Sequence, residues 1–305
     1  MSILEISGLR KSFKHHEVLC GLDMEVPEHS VFGFVGPNGA GKTTTMKIAL
    51  GLLRSDGGEV SVCGERVIYG GTKTNRHIGY LPDVPEFYGY MRPMEYLALC
   101  GEITGLSKRK TNEKGEELLS LVGLAGEKKK ISGFSRGMKQ RLGIAQALLN
   151  EPELLICDEP TSALDPIGRK EILEILSAIK GTTTVVFSTH VLSDVERICD
   201  RVAVLYDGKL ALHGTLSEIK EQHRHNGFVI EFLSKFELLE FSGCEQLSKP
   251  PVSIEKDENI LTVTIADPKI GGGFLIDLLA EKQIVPLRFE MMEPTLESLF
   301  AEVVG

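Results

Sequence analysis

The chain has 305 residues, 42% of them hydrophobic and 25% charged, a globular composition that excludes a disordered tether and suits about two domains, each burying its own core. Its 34 Lys and Arg against 43 Asp and Glu leave a formal charge of −9, which argues against nonspecific binding to duplex nucleic acid through phosphate neutralisation. Six cysteines (Cys20, Cys63, Cys100, Cys157, Cys199, Cys244) form no CxxC pair, so buried thiols in a reducing compartment are expected, not a disulfide or zinc framework.

The N-terminal stretch MSILEISGLRKSFKHH has no apolar core of the kind a signal peptide carries. No run reaches the roughly 18 apolar residues that cross a bilayer. A cytoplasmic chain is expected, with any membrane role exercised through a partner.

Residues 1 to about 220 alternate short apolar strands with helical patterns. VFGFVG (31–36) is a β-rich run ending in glycine, and TTTMKIALGLL (43–53) switches to helical spacing. Between them, Gly36, Pro37, Asn38, Gly39, Ala40, Gly41, Lys42 and Thr43 read GPNGAGKT, followed by Thr44. Every fixed position of the phosphate-loop pattern is filled, in the required strand-to-helix context. The glycines let backbone N–H groups close around a phosphate, Lys42 reaches the β- and γ-phosphates, and Thr43 ligates magnesium. A plain glycine turn at a helix start is the bland alternative.

Residues 93 to about 150 contain no comparable strand. PMEYLALCGEIT (93–104), NEKGEELLSLVGL (112–124) and MKQRLGIAQALLN (138–150) read as consecutive helices of a subdomain, about 84–150, inserted in an α/β core. Just before the third, GFSRGMKQ (133–140) places two glycines around Ser135 at a helix start, a second anion site made of free N–H groups and the helix dipole.

ELLICDEP (153–160) and TTTVVFSTH (182–190) repeat the pattern of a buried strand with polar residues at its C-terminal end, where ligands gather in doubly covered sheets. Asp158 can hold Mg²⁺, while Glu159, pointing the other way along the strand, can polarise an attacking water. Taken alone, such an acidic pair is usually surface decoration. His190 can reach a γ-phosphate and orient the water, and on spacing it reads equally as a structural histidine. His15, His16, His223 and His225 read as solvated.

After HRHN (223–226) the pattern changes. GFVIEFL, KFELLEF, PVSIEKD, ILTVTIA, GFLIDLLAEK and VPLRFEM read in order as βαββαβ, a small ferredoxin-like unit over 226–305, with a last helix in PTLESLFAEVV. It gathers no catalytic side chains, and a structural or regulatory role is expected.

Together, GPNGAGKTT, FSRGMKQ, LLICDEP, SALD and STH resemble an ATP-binding-cassette ATPase, specifically the nucleotide-binding subunit of a transporter, over residues 1 to about 222. The resemblance implies a P-loop cassette that binds ATP and Mg²⁺ and closes as a head-to-tail dimer with a second nucleotide-binding subunit, expected to be an identical chain. Ser135, Arg136, Gly137 and Met138 would then serve the γ-phosphate held by the partner, and Asp165 in SALD would cross the interface. It also implies Phe13 stacking on adenine, where core packing is the alternative, with a further contact near Val18. Asp158 would hold magnesium, Glu159 would be the general base and His190 the switch histidine. Two departures stand out. IGYLPD puts Asp83 where the family usually has glutamine, either as a third Mg²⁺ ligand or as an Asp stabilising the turn. The signature reads FSRGM, so Arg136 is either a cation for the partner's phosphate or a solvent-facing side chain.

YLPDVPEFYGYMRPMEYL and MEPTLESLF further resemble cassettes that pair with separate exporter permeases for drugs, peptides, lantibiotics or ions, docked to the inner face of the membrane. PEFYGYMRP reads as a docking surface or as packing within the subdomain. A soluble cassette ATPase acting on ribosomes or DNA is the alternative, although such proteins usually carry two cassettes or a long coiled coil. No nucleic acid is expected as a partner.

Overall fold

The computed structural model describes residues 2–222, 227–244, 247, 252–265, 268–292 and 295–304. The HRHN boundary, with His223 and His225, lies outside the described residues. The chain divides into two compact units, Met1–Leu216 and Ser217–Glu302.

The first unit opens with a long hairpin of β1 (Ser2–Phe13) and β2 (His16–Pro27), closed by a Phe13–His16 pair. Lys14 takes the left-handed turn position at φ 55°. This hairpin belongs to a four-stranded sheet of order β2-β1-β4-β5, with β4 at Gly57–Val62 and β5 at Glu65–Arg66. Leu4, Ile6 and Leu9 bury one face.

The central sheet holds β3 (Val31–Val35), β6 (Ile78–Leu81), β7 (Leu154–Asp158), β8 (Thr184–Thr189), β9 (Arg201–Tyr206) and β10 (Lys209–Thr215), in the order β10-β9-β3-β8-β7-β6. Five strands are parallel and β10 is antiparallel. Every residue of β3, β7 and β8 is buried, which is why those strands read as unbroken apolar runs and not as alternation.

Helix α1 (Lys42–Ala49) follows β3 and stops short of the expected residue 53. The reason is Gly51, left-handed at φ 68° just beyond the helix end. The inserted helices are α2 (Pro93–Ile103), α3 (Lys108–Leu121) and α4 (Arg136–Leu148). α3 begins four residues before the expected start, capped by Ser107 accepting from Lys110 N at 3.3 Å; its lysine-rich first turn carries no apolar period. Buried Tyr96 ties the insert together, donating to Gln146 Oε1 at 3.0 Å and receiving the Phe87 ring edge-on at 5.1 Å. Phe87 is therefore packing, while Tyr88 and Tyr90 stay exposed. α5 (Pro166–Ala178) and α6 (Leu192–Ile198) complete the layers around the sheet, and α7 (Leu216–Gln222) follows β10.

The second unit runs β11 (Gly227–Glu231), α8 (Lys235–Ser242), β12 (Val252–Asp257), β13 (Ile260–Ile265), α9 (Pro268–Glu281), β14 (Arg288–Met291), with sheet order β12-β13-β11-β14. This is the antiparallel βαββαβ arrangement of a ferredoxin-like unit. Phe228, Ile230, Phe232, Phe241, Leu261 and Leu275 form its core. α9 starts earlier than the expected residue 273; Gly272 permits its close approach to β11, since a Cβ there would lie 2.9 Å from Phe228 Cζ. The chain ends in α10 (Leu296–Val304). Among the described residues, no helix is long and apolar enough to cross a membrane.

Candidate active site

The site forms at the carboxyl ends of β3, β7 and β8. Gly39 at φ 85° and Gly41 at φ 111° turn the chain back from β3 into α1, a path that excludes side chains. Gly36 is needed for another reason: a Cβ there would stand 2.3 Å from Leu205 O on the adjacent strand. The resulting loop directs Lys42 inward. Its buried ammonium donates to Gly36 O at 2.7 Å and Pro37 O at 3.3 Å, and lies 3.3 Å from Glu159 Oε1.

Asp158 ends β7 and is buried. Its Oδ1 accepts from Thr43 Oγ1 at 3.0 Å and from Ser188 Oγ at 2.7 Å. Ser188 stands directly opposite Asp158 in the β7–β8 ladder, and its Oγ also accepts from Glu159 N at 3.0 Å. Thr43 and Asp158 thus bring hard oxygen donors together at the phosphate loop. That sparse set suits Mg²⁺, which completes its octahedron with water and phosphate oxygens.

Glu159 lies beyond the end of β7, not within it, in a left-handed conformation at φ 49°. Its direction is therefore set by this turn and not by strand alternation. Such a conformation in a non-glycine residue costs about 1 kcal/mol and recurs at functional sites. Oε2 is 2.9 Å from His190 Nδ1, while Oε1 is buried within ion-pair reach of Lys42 but has no hydrogen-bond partner.

Lys42, Thr43, Asp158 and Glu159 face a cleft of about 540 Å³ that is also lined by Asn38, Thr44, Tyr80 and Asp83. Burial, with the charge of Asp158 as a lesser cause, pushes the Tyr80 phenol up to about 12. A neighbouring cleft is lined by Val18, Pro37, Asn38, Ala40 and Tyr206. Phe13 stands at the tip of the β1–β2 hairpin, 46% exposed, with Lys11 Nζ 5.3 Å from its ring centroid.

The signature residues lie elsewhere on the surface. Ser135 caps α4 by accepting from Met138 N at 3.2 Å. Asp165 caps α5, accepting from Gly168 N at 2.7 Å. A Cβ on Gly137 would lie 3.9 Å from Leu164 Cδ2, so the FSRGM and SALD turns are neighbours. Arg136 is turned onto its own chain, with Nη2 3.0 Å from Asp83 Oδ1.

Three groups at the site went unnoticed in the sequence: Ser188, Gln140 (which donates to Asp83 O at 2.6 Å) and the buried pair in which Thr161 Oγ1 donates to Asp194 at 2.8 Å. Ser188 has a faint signal, a hydroxyl inside an apolar strand two residues before His190. The other two have none.

A family profile described as ABC transporter matches residues 19–162, and one described as the C-terminal domain of DrrA1-3-like ATP-binding proteins matches 214–304. The uncharacterized ABC transporter ATP-binding protein YxlF of Bacillus subtilis is 41% identical over 99% of both chains. The chain belongs to the ATP-binding proteins of ABC transporters. The bacitracin transport ATP-binding protein BcrA of Bacillus licheniformis is 34% identical over 100% of this chain and 98% of its own. A solved ATP-binding subunit of an ABC transporter superposes with a TM-score of 0.65 at 33% identity, covering 72% of this chain and 93% of the other. A dimeric ATP-binding cassette in a post-hydrolysis state with ADP and Pi gives 0.63 at 25% identity, covering 70% and 98%. As an ABC transporter ATPase subunit, this chain binds nucleotide and hydrolyses ATP, and the reading as a soluble ATPase of ribosomes or DNA gives way to transport.

Proposed function

We propose that two copies of this chain sandwich two ATP molecules and drive a separately encoded membrane permease that exports a drug, peptide, lantibiotic or ion. The observation that carries this reading is the division of the site. Lys42, Thr43, Asp158 and Glu159 line one cleft, with His190 held on Glu159, whereas none of the residues of the anion-binding turn at Ser135–Met138 lines it. A second copy would supply the missing half. The full-length likeness to BcrA supports a peptide-type cargo. The permease would hold the subunit at the inner membrane face.

In this reading the N–H groups of residues 38–43 grip the phosphates, and Phe13 and Val18 flank the base. Lys42 leaves the carbonyls of Gly36 and Pro37 for the β- and γ-phosphate oxygens. That movement releases Glu159 Oε1 to accept a proton from water. The water oxygen attacks the γ-phosphorus in line, the bond to the β-phosphate oxygen breaks with its electron pair leaving on ADP, and the proton rests on Glu159. His190 holds Oε2 through Nδ1–H. Mg²⁺ held by Thr43 and Asp158 would neutralise charge developing between the phosphates. Ser135 and the N-terminus of α4 would bind the γ-phosphate across the interface, and Asp165 would link the two sites.

The test is to tag the chain in its native cell, extract membranes gently and identify co-purifying proteins by mass spectrometry. A polytopic membrane protein at near-equal stoichiometry is expected. Recovery with ribosomal or DNA-repair proteins and no membrane protein would overturn the reading.

A further inference from the structure

Asp83 and Arg136 sit 53 residues apart, yet they meet at 3.0 Å. The contact is part of a longer seam. Arg136, Gln140 and Gly143 occupy positions i, i+4 and i+7 of α4 and so share one helix face. All three meet the loop that follows β6. Arg136 takes the Asp83 carboxylate, and the fully buried Gln140 donates to the Asp83 carbonyl at 2.6 Å. At Gly143 the helix comes so close that a Cβ would fall 2.5 Å from Leu81 Cδ1 and 3.4 Å from Pro85 Cβ.

A cation in the first turn of a helix opposes the helix dipole, whereas a carboxylate there is favoured. Asp83 answers both effects, neutralising Arg136 and placing negative charge at the positive end of α4. The same Asp83 lines the cleft of Lys42, Thr43 and Asp158. One short loop therefore touches the chain's own phosphate site on one side and the signature helix on the other.

We propose that Asp83 and Arg136 are a positioning pair: their ion pair locks the start of α4 to the β6 loop, so that the state of the chain's own nucleotide site sets the orientation of the Ser135–Gly137 turn offered to the partner. This consequence rests on the half-site reading above; the seam does not. The pair gives both departures from the family pattern one shared role in place of two separate ones, a metal ligand at 83 and a trans-acting cation at 136.

The test is a double-mutant cycle on ATP turnover by the full chain in Mg²⁺, with Asp83→Asn, Arg136→Gln and the double variant. For a partly exposed pair each single change is expected to lower kcat about two- to five-fold. The KM for ATP and the magnesium requirement should not move, and the double variant should be no slower than either single one. Asp83→Glu, which keeps the carboxylate, should recover most of the loss. Additive losses would overturn the pair. So would a raised magnesium requirement confined to the Asp83 variants, which marks a metal ligand, or a loss confined to the Arg136 variants, which marks a cation acting on the partner. Parent turnover per chain that does not change with protein concentration would instead sink the half-site reading, with the coupling still read from the same rates.

Discussion

His190 Nδ1 lies 2.9 Å from Glu159 Oε2, leaving the other oxygen of that carboxylate buried, 3.3 Å from Lys42 Nζ and without a hydrogen-bond partner. A carboxylate held from one side can accept a proton on the other once Lys42 has moved to the phosphates. Glu159→Gln keeps the shape but loses the basicity. ATP binding should persist while turnover falls about 10²- to 10⁴-fold, the usual share of general-base catalysis. With hydrolysis blocked, the variant should accumulate as an ATP-dependent dimer in sedimentation. A species that binds ATP yet stays monomeric at every concentration would contradict the divided site.

Lys42 satisfies two loop carbonyls and stands against the Glu159 carboxylate while itself buried. Lys42→Met should abolish measurable ATP binding by isothermal titration. It should also destabilise the nucleotide-free cassette by about 1–3 kcal/mol, because polar groups at a buried site lose their donor. Part of that loss is the carboxylate left without its cation. Adding Glu159→Gln to Lys42→Met should therefore raise the melting temperature above that of the single variant; a further drop would mean that the two side chains are not coupled in the resting site.

Two glycines of the phosphate loop separate two causes of intolerance. At Gly36 the obstacle is space, since an added Cβ would stand only 2.3 Å from Leu205 O, whereas at Gly39 nothing lies within 4 Å and the obstacle is φ 85°. Backbone of a central strand cannot easily retreat. Gly36→Ala is thus expected to cost about 1–3 kcal/mol of stability, and Gly39→Ala about 1–2 kcal/mol. Denaturant melts of the nucleotide-free chains would rank them, and a milder Gly36→Ala would show that the strands can part.

Legibility in the sequence followed the range of the interactions. GPNGAGKT and the buried strands β3 and β7 are local patterns, readable because one strand and one turn contain the whole signal. The hairpin of β1 and β2 escaped notice because bulges interrupt its pairing between Ile6 and Leu9 and again before Ser12, so strict alternation never develops. Asp83 and Arg136 were visible only as two unrelated oddities, since their meeting depends on how α4 docks beside β6. The aim of Glu159 was likewise hidden, because no residue near it announces a left-handed turn.

The cysteines allow the two units to be followed separately. Cys157 and Cys199 in the first unit and Cys244 in the second are buried, whereas Cys20, Cys63 and Cys100 are half-buried. Burial pushes the Cys157 and Cys199 thiols well up from the usual range, suppressing the thiolate that reacts. In the native chain an alkylating reagent at pH 8 should therefore reach at most Cys20, Cys63 and Cys100. As denaturant rises, Cys244 should report opening of the βαββαβ unit, while Cys157 and Cys199 report opening of the cassette. ATP with Mg²⁺ binds only the folded cassette, so it should shift the labelling midpoints of Cys157 and Cys199 upward by mass action. The midpoint of Cys244 should stay in place if the units open independently. An equal shift at all three cysteines, read by peptide mass spectrometry, would show that the small unit unfolds only together with the cassette.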